Sequence, residues 1–101
     1  MDAKQLIQNS KARFYLNEQK EQLKEKYQSK LTFADQGGLW TVNPTFLSQL
    51  ASSTATNLVL LDNYENPIKV NREELLVKAN KLYLQVMEDW HTEYNELKNL
   101  R

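Results

Sequence analysis

The last thirty residues of the chain, 72–101, contain neither glycine nor proline and constrain the fold more than any other stretch. Their apolar residues recur at spacings of three and four, which is typical of one stripe along an amphipathic helix. The stripe consists of Leu75, Ala79, Leu82, Tyr83, Val86, Trp90, Tyr94 and Leu97. At 1.5 Å per residue such a helix would be about 40 Å long, which is more than a small sheet can cover.

The start of this helix has a clear signature. Asn71 is suited to the N-cap position, and Glu74, three residues later, is placed to return the capping-box hydrogen bond. Val70 and Leu75 flank the cap as a hydrophobic staple. We therefore expect the chain to pass directly from a strand into the helix at Asn71.

A strand pair is predicted just before the helix. The run 57–62 is apolar between polar ends, which indicates a strand buried on both faces. Residues 63–66 are turn formers, and 67–70 returns with alternating apolar positions. Because proline cannot donate to a ladder, Pro67 belongs at the start of its strand or on an edge.

An earlier strand pair is indicated by alternation in 30–35 and in 39–42. The chain's two glycines, Gly37 and Gly38, supply a turn between them that can take positive φ.

A short helix near 44–52 is predicted between the two strand pairs. Asn43 followed by Pro44 is the pattern of a cap and a first helical residue. The apolar residues that follow lie on one helical face. Because the segment is short, a strand with loose ends is an alternative to the helix.

The chain begins with a sparse N-terminal helix. Asp2 and Gln5 form another capping-box pattern, so the helix is expected to start near Ala3. Its apolar residues are Leu6, Ile7, Phe14, Leu16, Leu23 and Tyr27. We expect a mostly solvated helix with two docking points, near Ile7 and Phe14 and near Leu23 and Tyr27, and a break near Asn17 would fit the apolar gap there.

The sequence therefore predicts an α+β fold in one domain, 1–101. It comprises an N-terminal helical arm (1–29), a β core (30–71) folded as a small, strongly bent antiparallel sheet or partly open barrel, and a long C-terminal helix (72–101). The predicted core consists of Phe33, Leu39, Trp40, Val42, Leu47, Leu50, Leu58, Leu60, Ile68, Val70, Leu75, Leu82 and Val86.

Charge and composition restrict the function only weakly. The 13 basic residues balance 13 acidic ones, so net charge favours neither nucleic acid nor a membrane surface as partner. Residues 1–30 carry seven basic against four acidic side chains, while Lys69 is the single cation of 31–71. The absence of cysteine and of an apolar run near 18 residues is typical of a cytoplasmic protein without a membrane span.

Motifs for catalysis or for a cofactor are missing. The chain lacks the glycines of phosphate and dinucleotide loops, and its one histidine has no triad context. Glu88 and His91 have the spacing of half a di-iron carboxylate site, but Glu88, Asp89 and Glu93 are more simply the solvated face of a helix. We therefore predict no enzyme, no metal and no cofactor.

Aromatic residues offer surfaces for stacking on bases. The simpler interpretation places Trp40 and Trp90 in the core or at a subunit seam. Tyr64 lies in a predicted turn and should be exposed, which makes it the better candidate for ligand contact.

The segment 57–65 resembles the end of the first sequence motif of Sm/LSm proteins. These are small, strongly bent five-stranded barrels that follow an N-terminal helix, assemble into rings and bind single-stranded RNA. The resemblance implies an Sm-like barrel and a base contact by Asn57. Ser53 stands where the family has aspartate, and the Arg-Gly pair of the second motif is replaced by a helix.

The whole chain is also similar to a group of small proteins of marine cyanophages. That similarity implies a phage origin, expression in the host cell cytoplasm and an Sm-like fold.

Two functional hypotheses follow. The first is a non-enzymatic, oligomeric Sm-like module that binds single-stranded RNA through Asn57, Tyr64 and Lys69. The alternative is a structural, assembly or scaffolding protein of a phage that binds phage or host proteins.

Both hypotheses include a homo-oligomer. The predicted interface consists of Tyr83, Trp90, Tyr94 and Leu97, because the N-terminal helix has too few apolar residues to cover that part of the stripe.

Overall fold

The structure, a computed structural model, describes the backbone of residues 3–99 and the side chains of residues 16–99. Its elements are α1 (Ala3–Ser29), β1 (Thr32–Asp35), β2 (Gly38–Thr41), α2 (Pro44–Ser52), β3 (Asn57–Leu61), β4 (Pro67–Asn71) and α3 (Arg72–Asn99). The chain is α+β, as predicted. Helix α1 is continuous through Asn17, where a break was expected. The predicted cap Asp2 and the docking side chains Ile7 and Phe14 lie outside the described residues.

The four strands form two separate antiparallel sheets of two strands each. We call β1–β2 hairpin A and β3–β4 hairpin B. The prediction of one bent sheet or a partly open barrel is not confirmed, since neither sheet in the described residues closes. Helix α2 intervenes between the hairpins, and the turn of hairpin B occupies the edge of β2. There the Asn63 N–H donates to the Leu39 carbonyl at 2.8 Å, and the Leu39 N–H donates to Asp62 Oδ2 at 3.3 Å.

The turn of hairpin A is one residue earlier than the sequence predicts. Asp35 pairs with Gly38, so the two loop residues are Gln36 (φ 51°) and Gly37 (φ 83°), and both lie in the left-handed region. Gly38 belongs to β2 instead, where a Cβ atom would lie 2.6 Å from Trp40 Cζ2 and 2.8 Å from Ile68 Cδ1. Glycine at 38 thus allows hairpin A to approach the Ile68 side chain of hairpin B.

The two predicted helix caps that lie within the described residues are confirmed. Asn43 Oδ1 accepts from the Phe46 N–H at 2.8 Å, and Asn71 Oδ1 accepts from the Glu74 N–H at 3.1 Å. The bond expected from the Glu74 side chain to the Asn71 N–H is replaced, because Gln36 Oε1 accepts from that N–H at 2.6 Å.

Two apolar clusters hold the elements together. The first joins α1 and α3 to the strand ends through its buried members Leu23, Tyr27, Leu31, Val42, Ala79 and Val86. The second lies between the hairpins, α2 and the start of α3, with Trp40, Leu50, Val70 and Leu75 buried. Six of the predicted core residues are buried, namely Trp40, Val42, Leu50, Val70, Leu75 and Val86. The other predicted core residues are half-buried.

Helix α3 runs along most of the molecule, whose dimensions are 65 × 24 × 20 Å. Its first half packs against α2 and hairpin B, and its second half packs against α1. The two long helices are antiparallel, since Tyr27 stacks on Trp90 while Lys20 lies over the Tyr94 ring, further along α3. Within residues 3–99 no helix is both long and apolar enough to cross a membrane.

Candidate interaction surface

Hairpin B has one face on the core and one face in solvent. Leu58 pairs with Val70, and Leu60 with Ile68, and these four side chains belong to the cluster around Trp40. Because successive side chains of a strand point to opposite faces, the intervening positions lie on the other side. We call these positions the outer face of hairpin B; they are Asn57, Val59, Leu61, Pro67 and Lys69, and all five are exposed.

Large apolar side chains are exposed on this hairpin, as Val77, Leu84 and Met87 are on α3. Val59 is 63% exposed, Leu61 is 67% exposed, and Tyr64 in the adjoining turn is 73% exposed. The prediction that 57–62 is buried on both faces is therefore wrong. The molecule covers only the inner face of β3, since α2 and α3 both lie on that side.

The three residues predicted to contact nucleic acid are all exposed on hairpin B. Asn57 begins β3, Lys69 lies in the middle of β4 opposite Val59, and Tyr64 lies in the turn. Asn57 and Tyr64 are thus at opposite ends of the hairpin and share no pocket. Lys69 and Asn57 share the outer face, where their neighbours are apolar.

Asp62 builds the turn that presents Tyr64. Its carboxylate accepts the N–H groups of Tyr64 and Asn66 at Oδ1, both at 3.0 Å, and that of Leu39 at Oδ2. The hydrogen bond from Asn66, followed by those from Leu39 and Tyr64, holds the pKa of Asp62 below its ordinary value. Glu65 takes a positive φ of 62° to close the turn.

The hydrogen-bond pattern of hairpin B leaves one edge of β3 open. The Asp62 N–H donates to the Asn66 carbonyl at 3.0 Å, so every second residue counting back from Asp62 bonds to β4. Asn57, Val59 and Leu61 therefore direct their N–H and C=O groups away from β4. Within residues 16–99 no hydrogen bond reaches these outward backbone groups.

The opposite edge, along β4, is protected. Pro67 has no N–H to offer. Gln36 occupies the groups of Asn71: its Oε1 accepts from the Asn71 N–H at 2.6 Å, and its Nε2 donates to the Asn71 carbonyl at 3.2 Å. Between them Lys69 adds an exposed charge, which also discourages pairing.

The predicted interface residues of α3 have partners inside the chain. Tyr83, Trp90, Tyr94 and Leu97 are half-buried and pack against the cluster that contains Leu23 and Tyr27 of α1. The Trp90 and Tyr27 rings stack at 6.1 Å with an 8° angle between planes. That these four residues form an interface between copies stays a prediction. Its premise, that α1 is too sparse to cover the stripe, disagrees with this packing.

Glu93 joins the two long helices rather than lying on a solvated face. Its Oε1 accepts from Lys26 Nζ at 2.7 Å and from the Tyr27 hydroxyl at 3.0 Å. The hydrogen bond from Lys26 holds the pKa of Glu93 below its ordinary value, and the same contact raises the pKa of Lys26. Burial raises the pKa of Tyr27.

A polar groove of about 620 Å³ separates the turns of the two hairpins. Three of its polar side chains, those of Asp35, Gln36 and Asp62, are already bonded within the chain. Asp35 Oδ1 accepts from Lys78 Nζ at 2.8 Å, which raises the pKa of Lys78, while Gln36 is bonded to Asn71 and Asp62 to backbone N–H groups. The bonds of Gln36 and Asp62 therefore connect the two hairpins across the groove.

Residues 16–99 contain no group of three or more His, Cys, Asp or Glu side chains that could hold a metal ion. His91 is exposed, with Nε2 lying 3.4 Å from Asn95 Nδ2, and Glu88 is exposed as well.

Comparison with protein-family models, with curated proteins and with solved structures finds no match to this chain.

Sequence reasoning missed Gln36 and Asp62, the two side chains that organise this surface. Asp62 follows a predicted strand and precedes Asn63, and aspartate in such a position commonly forms a turn. The sequence therefore contained enough to predict its role in the turn. Gln36 had no such signal, because its partner Asn71 lies 35 residues away and the contact depends on how the hairpins meet.

Proposed function

We propose that this chain is a non-enzymatic assembly module that associates with copies of itself through hairpin B. The observation that carries the proposal is the exposure of Val59, Leu61 and Tyr64 on one hairpin. Val59 and Leu61 are neighbours on the outer face, and exposed apolar side chains grouped in this way mark protein interfaces. They also lie beside the open edge of β3, where a second chain could add hydrogen bonds.

The charges of the surface agree with self-association. Lys69 is the only ionic side chain on the outer face, so two copies can approach without placing a row of like charges opposite each other. We extend the proposal to an assembly role in the cytoplasm of an infected host, which is what the resemblance to small cyanophage proteins implies.

The test is the sedimentation of the wild-type protein and two lysine variants at high micromolar concentration. Leu61→Lys puts a charge on hairpin B, and Val77→Lys puts one on the outer side of α3 at equal exposure, 67%. We expect the wild type and Val77→Lys to associate and Leu61→Lys to sediment as a monomer. A wild type that is monomeric throughout would refute the proposal, and association that requires an added phage or host protein would replace self-association with a heterologous partner.

Binding of single-stranded RNA by an Sm-like module is the second candidate. It is favoured by the exposure of Asn57, Tyr64 and Lys69 on the same hairpin. Because binding through cations releases counterions, affinity for oligo(U) or oligo(A) would fall as salt rises.

Matched variants test this candidate. Asn57→Ala and Lys69→Ala should each weaken oligonucleotide binding, while Asn95→Ala, in an exposed position on α3, should not. The absence of binding at low ionic strength would leave the protein-assembly role alone.

A further inference from the structure

We infer that two copies of this chain join by antiparallel pairing of β3 with β3 of the second copy, across a two-fold axis at Val59. The result is a continuous four-stranded sheet in the order β4–β3–β3–β4. The inference rests on the proposed self-association and specifies its geometry.

The open edge calls for a strand rather than for a helix or a small molecule. Asn57, Val59 and Leu61 each direct one N–H and one C=O outward, in the alternating order that an antiparallel strand satisfies. An unpaired and uncharged edge strand is a template for pairing with another chain. A sheet of two strands is also marginal alone and gains from further strands.

The strand is complementary to itself. With the axis at Val59, Val59 faces its own counterpart, and Asn57 of each copy faces Leu61 of the other. The segment 57–61 carries no charge, so no like charges meet across the pair. Paired residues lie on the same face of a sheet, so the exposed Val59 side chains of the two copies would contact each other.

Other strand edges of the molecule are less suitable partners for β3. On the edge of β4, Pro67 has no N–H and the Gln36 side chain is bonded to the backbone of Asn71. On the edge of β2, the backbone N–H and C=O of Leu39 are bonded to the turn of hairpin B. Pairing of β3 with β4 of the next copy, which would build a head-to-tail ring, is thereby disfavoured. A two-fold contact, in which both copies use the same surface, remains.

Strand β1 also has outward groups in the described residues, whereas β2 and β4 keep one outward residue each with both its N–H and its C=O unbonded, Thr41 and Lys69. The Val42 N–H donates to the Leu31 carbonyl, so only Thr32 and Ala34 of β1 face outward. They offer two residues against three on β3 and no large apolar side chain.

The inner face of β3 gives independent support. Leu58 and Leu60 are only half-buried, as is Ile68 on the neighbouring strand, whereas Val70 is 1% exposed. The inner face next to the open edge is therefore incompletely covered. A strand from a second copy would extend the cover over Leu58 and Leu60.

Single cysteines test the axis, since the chain has no cysteine of its own. Paired residues on neighbouring antiparallel strands have Cα atoms about 4.5–5.5 Å apart, which a disulfide can span. Val59→Cys should therefore form a disulfide-linked dimer under mild oxidation. Val77→Cys, at 67% exposure against 63%, is the matched control and should stay unlinked.

A mixing experiment tests the register. Asn57→Cys alone and Leu61→Cys alone should not cross-link, because equivalent residues would lie four positions apart, about 13 Å along the strand. An equal mixture of the two variants should form the mixed disulfide. Efficient linkage within either variant alone would overturn the register.

Val59→Pro tests the hydrogen bonding itself. The Val59 N–H points outward, so proline removes no bond within hairpin B but blocks the edge. We expect the circular dichroism spectrum to be retained and the association lost.

The outcomes separate the two proposals. A monomeric wild type would refute self-association altogether. A wild type that associates, with no Val59→Cys linkage and undiminished association of Val59→Pro, would refute strand pairing and leave self-association standing. If Val59→Pro does not fold, the cysteine variants decide the question alone.

Discussion

The Gln36 side chain should contribute to stability well beyond what a turn residue normally does. Its carboxamide pairs with both backbone groups of Asn71, as a neighbouring strand would. We expect Gln36→Ala to lower the free energy of unfolding by about 2 kcal/mol, because a net hydrogen bond contributes about 1 kcal/mol and the two bonds to Asn71 are lost, together with a longer one to Asp35 Oδ2 at 3.3 Å. Asn71 is half-buried, so water can take over part of the bonding and the larger penalty of a fully buried orphan does not apply.

A glycine variant separates the hydrogen bonds from the backbone strain. Gln36 and an alanine in its place share the same left-handed φ of 51°, so Gln36→Ala reports on the bonds alone. Glycine relieves the left-handed conformation, and we expect Gln36→Gly to be more stable than Gln36→Ala by roughly 1 kcal/mol.

A charged variant adds a pH signature. In Gln36→Glu the carboxylate has no donor for the Asn71 carbonyl and lies near Asp35, so its folded-state pKa should be raised. Its stabilising contribution should then be present below the unfolded pKa, about 4.3, and lost as pH rises through the folded value. The protonated acid reproduces both bonds of the amide.

Urea unfolding at pH 7 and pH 4 measures all three variants against the wild type. A loss of 2 kcal/mol corresponds to a fall of about 8–16 °C in Tm for a domain of this size. If Gln36→Ala is within about 0.5 kcal/mol of the wild type, the range of an ordinary surface substitution, then the paired bonds contribute nothing and the reasoning fails.

Asp62 and Trp90 provide two further predictions. Backbone N–H groups such as that of Asn66 hold the folded pKa of Asp62 below 3.8, so its contribution to stability is present above that value and is lost as pH falls through the folded pKa. Asp62→Asn should therefore reduce the loss of unfolding free energy that urea titrations measure as the pH is lowered into the acid range. An unchanged pH dependence would contradict the assignment. Trp90→Glu puts a carboxylate against Tyr27 and near Glu93, so amide hydrogen exchange in α1 should accelerate. A shift to smaller species with unchanged α1 protection would instead support an interface between copies at that stripe.

The features that the sequence predicted best depend on contacts between residues close together in the chain. The caps Asn43 and Asn71 were predictable because each bonds an N–H only three residues away. The exposure of Tyr64 was predictable for a similar reason, since turn residues between two strands lie on the surface. The α+β class follows from these local elements without knowledge of their packing.

The cover over α3 was not predictable by counting apolar residues in α1. Lysines replace them in part: Lys20 Nζ lies 5.7 Å from the Tyr94 ring centre, and Lys26 and Lys30 lie 5.2 and 4.9 Å from that of Tyr27. Lysine stems cover apolar surface while their ammonium groups stay in water, and the ammonium groups attract aromatic faces. A sparse stripe on α1 therefore covers more than its few apolar residues suggest.

The separation into two hairpins depends on hydrogen bonds between residues that are far apart in the sequence. Gln36 and Asp62 occupy strand edges that would otherwise be open to further pairing in one sheet. Side-chain bonds of this kind depend on the final geometry and leave no periodic pattern in the sequence. The same bonds determine which edge stays open.

Helix α3 packs against α1, α2 and hairpin B. We expect association at surfaces that these contacts leave exposed. Hairpin B and α2 pack against the first half of α3, and α1 packs against its second half, so the described chain partly covers the stripe that first suggested an oligomer. Hairpin B has a short open edge with three outward residues, and the side chains of Val59 and Leu61 beside it are exposed. An apolar stripe can be covered by another helix of the same chain, whereas an open strand edge is suited to pairing with another strand. Because Gln36 and Asp62 occupy neighbouring edges of the chain's own hairpins, we propose that the strand for β3 comes from a second molecule.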